Sequence, residues 1–323
     1  SDFSDWAGLI QITDSATLQE TDSCIISYAD KCISSRDTIY FWDHKMKAIY
    51  CFNKDGKYVR TIGNRGRSAS EYMDIKDMQI NEKEATLNIL DVMGILTYDL
   101  HSGKFMNRKK FSSSNSIEYE RFAIVGKDSF LCFTDNRNKY SIVLDTPQKK
   151  SGLRESKRFH FVTNTFYSFN NKCKVLADYG DFYIEEYTNG KLIPVYEINL
   201  GDKALPDDIR PKTFKEFEIV DGSQDYFKCI TNAYETSRWL YLLIIGPNQT
   251  YYQAFINKET GKYAFGTAMS ISVIGADEDS FYALIYPELL PEDSFIWNII
   301  SSGFRPNKQT PIFIKFRINE NKI

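Results

Sequence analysis

The stretch Ile39 to Tyr72, IYFWDHKMKAIYCFNKDGKYVRTIGNRGRSASEY, decides the fold. It holds three short apolar or aromatic runs, Ile39–Trp42, Ala48–Phe52 and Tyr58–Ile62, separated by polar turns. Asn53-Lys54-Asp55-Gly56 is a turn signal with a mechanism: Asp closes local backbone hydrogen bonds, and glycine accepts positive φ. The unit is therefore a small antiparallel meander. Fainter copies follow at Leu87–Phe111, with its turn at His101-Ser102-Gly103, and around Thr188–Lys191 and Glu259–Lys262. One meander leaves an apolar face uncovered, and stacked repeats cover it.

Turn positions give a ruler. Gly56, Gly103, roughly Gln148, Gly190 and Gly261 are separated by 47, 45, 42 and 71 residues. The first three steps suit a four-stranded propeller blade, about 40–45 residues per repeat. The long step contains Gly201–Lys212, expected as an insertion loop or short helical turn, and the polar Asp221–Asp225 segment. The fifth meander is expected to take its strands from Phe214–Val220, Phe227–Thr231, Trp239–Ile245, Tyr251–Asn257 and Lys262–Phe265. Counting on to the terminus gives six blades. The competing all-β solution, a sandwich, would leave sheet edges open, whereas blades around an axis keep them short and protected. Ring closure needs one blade built from both ends, with Leu9–Thr13 and Ile312–Ile318 as the available strands. Ile25–Tyr28 and the Cys32–Ile33 region are expected to supply the first inner strand. The fold class is thus all-β: a single six-bladed β-propeller domain over residues 1–323, mostly four-stranded antiparallel blades closed by N- and C-terminal strands.

The run Phe52-Asn53-Lys54-Asp55-Gly56-Lys57-Tyr58, then Ile62-Gly63, then Arg65-Gly66-Arg67-Ser68-Ala69-Ser70-Glu71-Tyr72 resembles a known pattern. The chain is similar to the six-bladed, NHL-like propeller family of gut Bacteroidetes, largely uncharacterised and rich in lipoproteins. That family runs Phe-Asp-x-x-Gly-Lys-Phe, Ile-Gly, then a Gly-Gln-Gly-Pro-Gly-Glu-Tyr-like loop. Gly66, Glu71 and Tyr72 match the loop, while its Gln and Pro are absent here. Thr310-Pro311-Ile312-Phe313-Ile314 resembles the family's closing Asn-Pro-x-Leu-x-Leu strand. The resemblance implies an extracytoplasmic protein, periplasmic or at the cell surface, with a lipid anchor lost from this sequence.

Composition narrows the function classes. Net charge is −3 with both signs interspersed, so no long-range field attracts nucleic acid or an anionic membrane. The longest apolar run, Trp239–Ile245, falls far short of the roughly 20 residues a membrane-spanning helix needs. The six cysteines form no CxxC pair and read mostly as buried strand residues, with room for one bridge. The three histidines, His44, His101 and His160, are dispersed, without zinc-ligand spacing, and no metal or cofactor is expected. Asp178, Asp181, Asp221 and Asp225 lack an EF-hand frame and read as solvated turn carboxylates. Glu185 and Glu186 are adjacent on a strand, so they point to opposite faces and cannot form a glycosidase pair. Arg108-Lys109-Lys110 reads as a charge-protected sheet edge.

What remains is recognition. Gly63–Tyr72 follows the clearest blade strand and is expected at one mouth of the ring. There Arg65 and Arg67 offer forked donors, Glu71 an acceptor and Tyr72 an amphipathic ring. The expectation is a recognition or scaffolding propeller for a glycan, peptide or protein partner, without a catalytic motif. The alternative is a carboxylate-based glycoside hydrolase or lyase on the same scaffold. A plainer account has Glu71 pairing with an arginine and Tyr72 packing between blades.

Overall fold

The computed structural model describes residues 3–111, 118–134, 138–156, 159, 163–222, 225–269, 271–290, 294–300 and 310–323. Six four-stranded antiparallel sheets form a ring, a six-bladed β-propeller. From the axis outward, blade 1 is Ala29–Ser35, Thr38–Asp43, Ala48–Asn53 and Tyr58–Thr61. Blade 2 is Asp77–Asn81, Thr86–Asp91, Gly94–Asp99 and Phe105–Lys110, and blade 3 is Tyr119–Gly126, Ser129–Thr134, Tyr140–Asp145 and Lys150–Glu155. Blade 4 is Phe166–Phe169, Lys172–Leu176, Tyr183–Thr188 and Lys191–Glu197, and blade 5 is Cys229–Glu235, Trp239–Ile245, Tyr251–Asn257 and Tyr263–Thr267. Blade 6 runs Ser272–Ala276, Phe281–Ile285, Ile312–Ile318 and finally Ile10–Thr17 from the other end of the chain.

Closure therefore follows the sequence reading, with a longer N-terminal strand. Ile10 pairs with Ile318 and Thr17 with Ile312, antiparallel. A single helical turn, Trp6–Leu9, precedes it, and Trp6 is buried with its indole Nε1 donating to Thr267 O at 3.1 Å. Phe3 N donates to Phe265 O, so the N-terminal segment ties blade 5 to blade 6.

Burial tracks position in the blade. Second strands are covered on both faces and read as continuous buried runs, as in Thr86–Asp91. Outer strands face water on one side, and the charged Phe105–Lys110 is one of them. Each innermost strand starts at one face of the ring, here called the top. Antiparallel pairing then places the turns after first and third strands at the bottom.

The bottom turns form where expected, with Asn53 rather than Asp55 as the accepting side chain of the first. Asn53 Oδ1 accepts from Asp55 N at 3.1 Å and Lys57 N at 2.9 Å, and Gly56 has φ +79°. Asp99 and Asn257 repeat the device before Gly103 and Gly261. On the top face a second device recurs. Asp43 Oδ2 accepts from Ser27 N (2.6 Å) and Tyr28 N (2.8 Å), and Asp91 Oδ1 accepts from Met73 N (3.2 Å) and Asp74 N (3.1 Å). Both carboxylates are fully buried, so each fixes the segment that enters its blade.

Three local expectations change. Phe214–Val220 is not a strand but part of an α-helix, Phe214–Asp221, because the Thr213 hydroxyl caps it by accepting from Glu216 N. The inner strand of blade 5 accordingly starts at Cys229. Ile25–Tyr28 is a top-face connection with Ile25 and Tyr28 half exposed, and the first inner strand is Ala29–Ser35. Gly201–Lys212 holds two short 3-10 turns, as its prolines and aspartates suggested.

Candidate functional site: the axial mouth

The top ends of the inner strands surround a cavity of about 450 Å³. Blade 1 contributes Asp30, Lys31 and Trp42, and blade 3 contributes Arg121. Asn164 enters from just before blade 4, and Asn232 from blade 5. Tyr28 and Tyr251 stand at this cavity, each about half exposed. The volume lies within the range of small-molecule sites, roughly 300–1,000 Å³.

Two polar arcs support the wall, through the lining residues Lys31 and Arg121 in one and Asn164 and Asn232 in the other. The first is charged and joins blades 1 to 3. Lys31 Nζ donates to Asp77 Oδ1 at 2.8 Å, and Asp77 Oδ2 accepts from Phe122 N at 3.1 Å. Both Lys31 and Asp77 are buried, where a lone charge would be costly; each compensates the other. Lys76 Nζ lies 2.8 Å from both Glu118 and Glu120. Burial alone would depress the Lys76 ammonium, and the two carboxylates outweigh it and hold it above its ordinary value. Arg121 Nη1 donates to Lys76 O (2.8 Å) and Glu120 O (2.7 Å), and its guanidinium carbon sits 5.7 Å from the Trp42 ring centre. The second arc is neutral and joins blades 4 to 6. Asn164 Nδ2 donates to Asn232 Oδ1 (2.9 Å) and Tyr234 Oη (3.0 Å), and Asn232 Nδ2 donates to Val273 O (3.2 Å).

Asp30 sits between the cavity and the outer top face. Its Oδ2 lies 2.7 Å from His44 Nδ1. Burial pushes the Asp30 carboxyl above the usual carboxylate range, with His44 pulling it the other way.

The residues of Gly63–Tyr72 lie elsewhere. The loop crosses the outer strands of blade 2: Tyr98 Oη donates to Ser70 O at 2.7 Å, and Arg108 donates to Glu71 O. Glu71 Oε2 accepts from Ser68 N at 2.9 Å, which holds its carboxyl below the usual range. Tyr72 is 1% exposed and packs in a core shared by blades 1 and 2. Arg65 and Arg67 are exposed. The structure therefore spends Glu71 and Tyr72 on the loop itself and leaves the two guanidinium groups at the surface.

Other candidates take structural places. Glu185 pairs with Arg154, whereas Glu186 on the opposite face pairs with Lys174 at 2.8 Å and Lys172 at 2.9 Å. Asp178 and Asp181 bind Arg154 and Arg210, and Asp221 accepts from Gln249. His44 and His101 have separate settings, and His160 lies outside the described residues. Among the described residues no three His, Cys, Asp or Glu side chains gather as a metal site. All six cysteines are free and buried. Burial pushes their thiols up, those of Cys24, Cys51, Cys173 and Cys229 to about 12, which removes the reactive thiolate at neutral pH.

Sequence reasoning missed the axial residues. Each is one polar side chain near the start of an inner strand, tens of residues from the next, so no motif links them. The usable signal was positional: the polar residues that open each repeat, Asp30-Lys31, Arg121, Asn164 and Asn232.

The ring and its polar mouth define a six-bladed propeller of the kind that presents an axial site. The chain belongs to the DUF4934 family, a domain of unknown function, whose model matches residues 11–302. Its fold is similar to that of a candidate exported protein of Bacteroides fragilis, with 14% identity, 99% of this chain and 98% of that one covered, and a TM-score of 0.79. A member of the DUF4221 family from Bacteroides vulgatus shares 6% identity over 97% of this chain and 99% of that one, with a TM-score of 0.61. No curated protein matches the chain. At these identities the likeness is one of fold. No helix among the described residues is long and apolar enough to cross a membrane.

Proposed function

We propose that the protein is an exported recognition propeller that holds a saccharide at the axial mouth. The observation that carries this is the cavity of about 450 Å³, walled by fixed polar side chains and flanked by two half-exposed tyrosines. Sugars offer hydroxyls for planar amide and charged groups, and C–H faces for aromatic rings. Asn164, Asn232, Asp30 and Arg121 supply the first, Tyr28 and Tyr251 the second. Export is supported by the fold shared with the Bacteroides fragilis protein. A lipid anchor and an NHL-like ancestry belong to the same proposal.

The Gly63–Tyr72 loop enters as an outlying contact. Exposed Arg65 and Arg67 are the donors, and Glu71 and Tyr72 hold the loop that presents them.

A glycan array followed by calorimetry tests the reading. Wild type should bind a saccharide, Tyr251→Ala should weaken it about tenfold, and Arg65→Ala with Arg67→Ala should weaken it less. Capture of only peptides or proteins would overturn the saccharide assignment. Turnover of the bound glycan would move the protein into the glycoside hydrolase or lyase class.

A further inference from the structure

The charges at the mouth are unevenly matched. Asp77 pairs with Lys31, Glu118 and Glu120 share Lys76, and Asp30 lies against His44, which is a cation only when protonated. Arg121 has no carboxylate within ion-pair distance among the described residues, although its charge reaches the Asp30 carboxyl and pulls it down. It is nevertheless held in place: Nη1 is fixed by two backbone carbonyls, and the guanidinium sits against Trp42. Nε and Nη2 make no hydrogen bond among the described residues and belong to a side chain that lines the cavity. A forked, fixed donor pair of this kind matches a planar carboxylate. Immobilising an arginine before the ligand arrives also lowers the entropy lost on binding.

We infer that the axial mouth selects a saccharide bearing a carboxylate, a uronic acid unit, with Arg121 pairing its carboxylate through Nε and Nη2. This rests on the saccharide reading of the mouth and adds the charge of the ligand. The neutral arc faces the sugar from blades 4 to 6, where the Asn164 carbonyl Oδ1 accepts nothing from the described residues and is open to a hydroxyl. Tyr28 and Tyr251 flank the ring of the sugar.

The experiment is calorimetric titration of the full chain with glucuronic- and galacturonic-acid oligosaccharides and with their carboxyl-reduced counterparts. The acidic forms should bind about tenfold or more tightly than the reduced ones, with affinity falling as salt rises. Arg121→Gln should abolish that preference and Arg121→Lys should recover only part of it, with melting temperatures recorded for both. If reduced and acidic forms bind wild type equally, the carboxylate inference is overturned while the saccharide reading stands. If wild type binds neither, the uronic-acid inference is overturned, and the saccharide reading is decided separately by the glycan array. The wild-type pair decides the matter even where a substitution at Arg121 prevents folding.

Discussion

The two faces of the ring are built from the same repeat and do different things. Bottom turns are short, and an Asx side chain with a positive-φ glycine closes several of them, as at Asn53–Gly56 and Asn257–Gly261. Top connections are longer and carry most of the exposed large apolar side chains, including Ile25, Tyr28, Met73, Phe214 and Leu289. Toward the bottom, such residues sit on outer strands, as Val59, Met106 and Tyr263 do. The bottom turns fix strand register, and two of the top connections are held by the buried Asp43 and Asp91. The bottom is thus closed by short local turns, and the top carries the longer connections around the axial cavity.

The largest effect should come from opening the ring. Deleting residues 1–14 removes buried Trp6, Leu9 and Ile10 and most of the closing strand, a loss of at least about 4 kcal/mol by area burial. Differential scanning calorimetry should show the melting temperature falling by several degrees, and an unchanged value would show that blade 6 closes without its outer strand.

Next come the bottom turns, compared with each other. A Cβ on Gly56 would meet Thr17 O at 2.2 Å, whereas one on Gly190 would meet nothing within 4 Å, although both have positive φ. Gly56→Val should cost about 3 kcal/mol in urea denaturation and Gly190→Val about 1 kcal/mol. Equal costs would mean that φ strain alone matters and that the seam between blades 6 and 1 gives way freely.

A top-face substitution should act locally. Asp91→Ala leaves the Met73 and Asp74 amides without their acceptor, costing about 1–3 kcal/mol. Amide exchange should speed up at Met73 and Asp74 ahead of the blade strands, and uniform loosening would contradict the separation of the two faces.

Acid should separate the faces more gently. The Lys174 and Lys172 ammonium groups hold the Glu186 carboxyl near the bottom at about 2, below an unfolded value of about 4.3. Its folded value is depressed, so its contribution to stability is present above about pH 4.3 and is lost as pH falls toward 2. Carboxyl-carbon NMR should show Asp30 at the top, raised by burial, protonating well before Glu186. The reverse order would break the contrast.

Much of the fold could be read in the chain because its signals are local. Asn53-Lys54-Asp55-Gly56 carries its own turn chemistry, and Ile312–Ile318 alternates strongly enough to be read as a strand. Phe214–Val220 was misread because its apolar residues suit a strand, and only the Thr213 cap and the packing of Phe217 on Tyr179 favour the helix. Tyr72 was legible as a residue of the loop but not as a buried one, since its partners come from two blades.

The sequence by itself determined the repeat, the number of blades and the two strands that close them, because each depends on hydrogen bonding and burial among near neighbours. Only the tertiary structure decided which polar side chains gather at the axial mouth. Lys31 and Asp77, or Asn164 and Asn232, are separated by 46 and 68 positions and meet only when six inner strands converge on one axis. The same convergence leaves Arg121 fixed by backbone carbonyls and, among the described residues, without a carboxylate at ion-pair distance, since charge pairing depends on distance in space, which no spacing along the chain records.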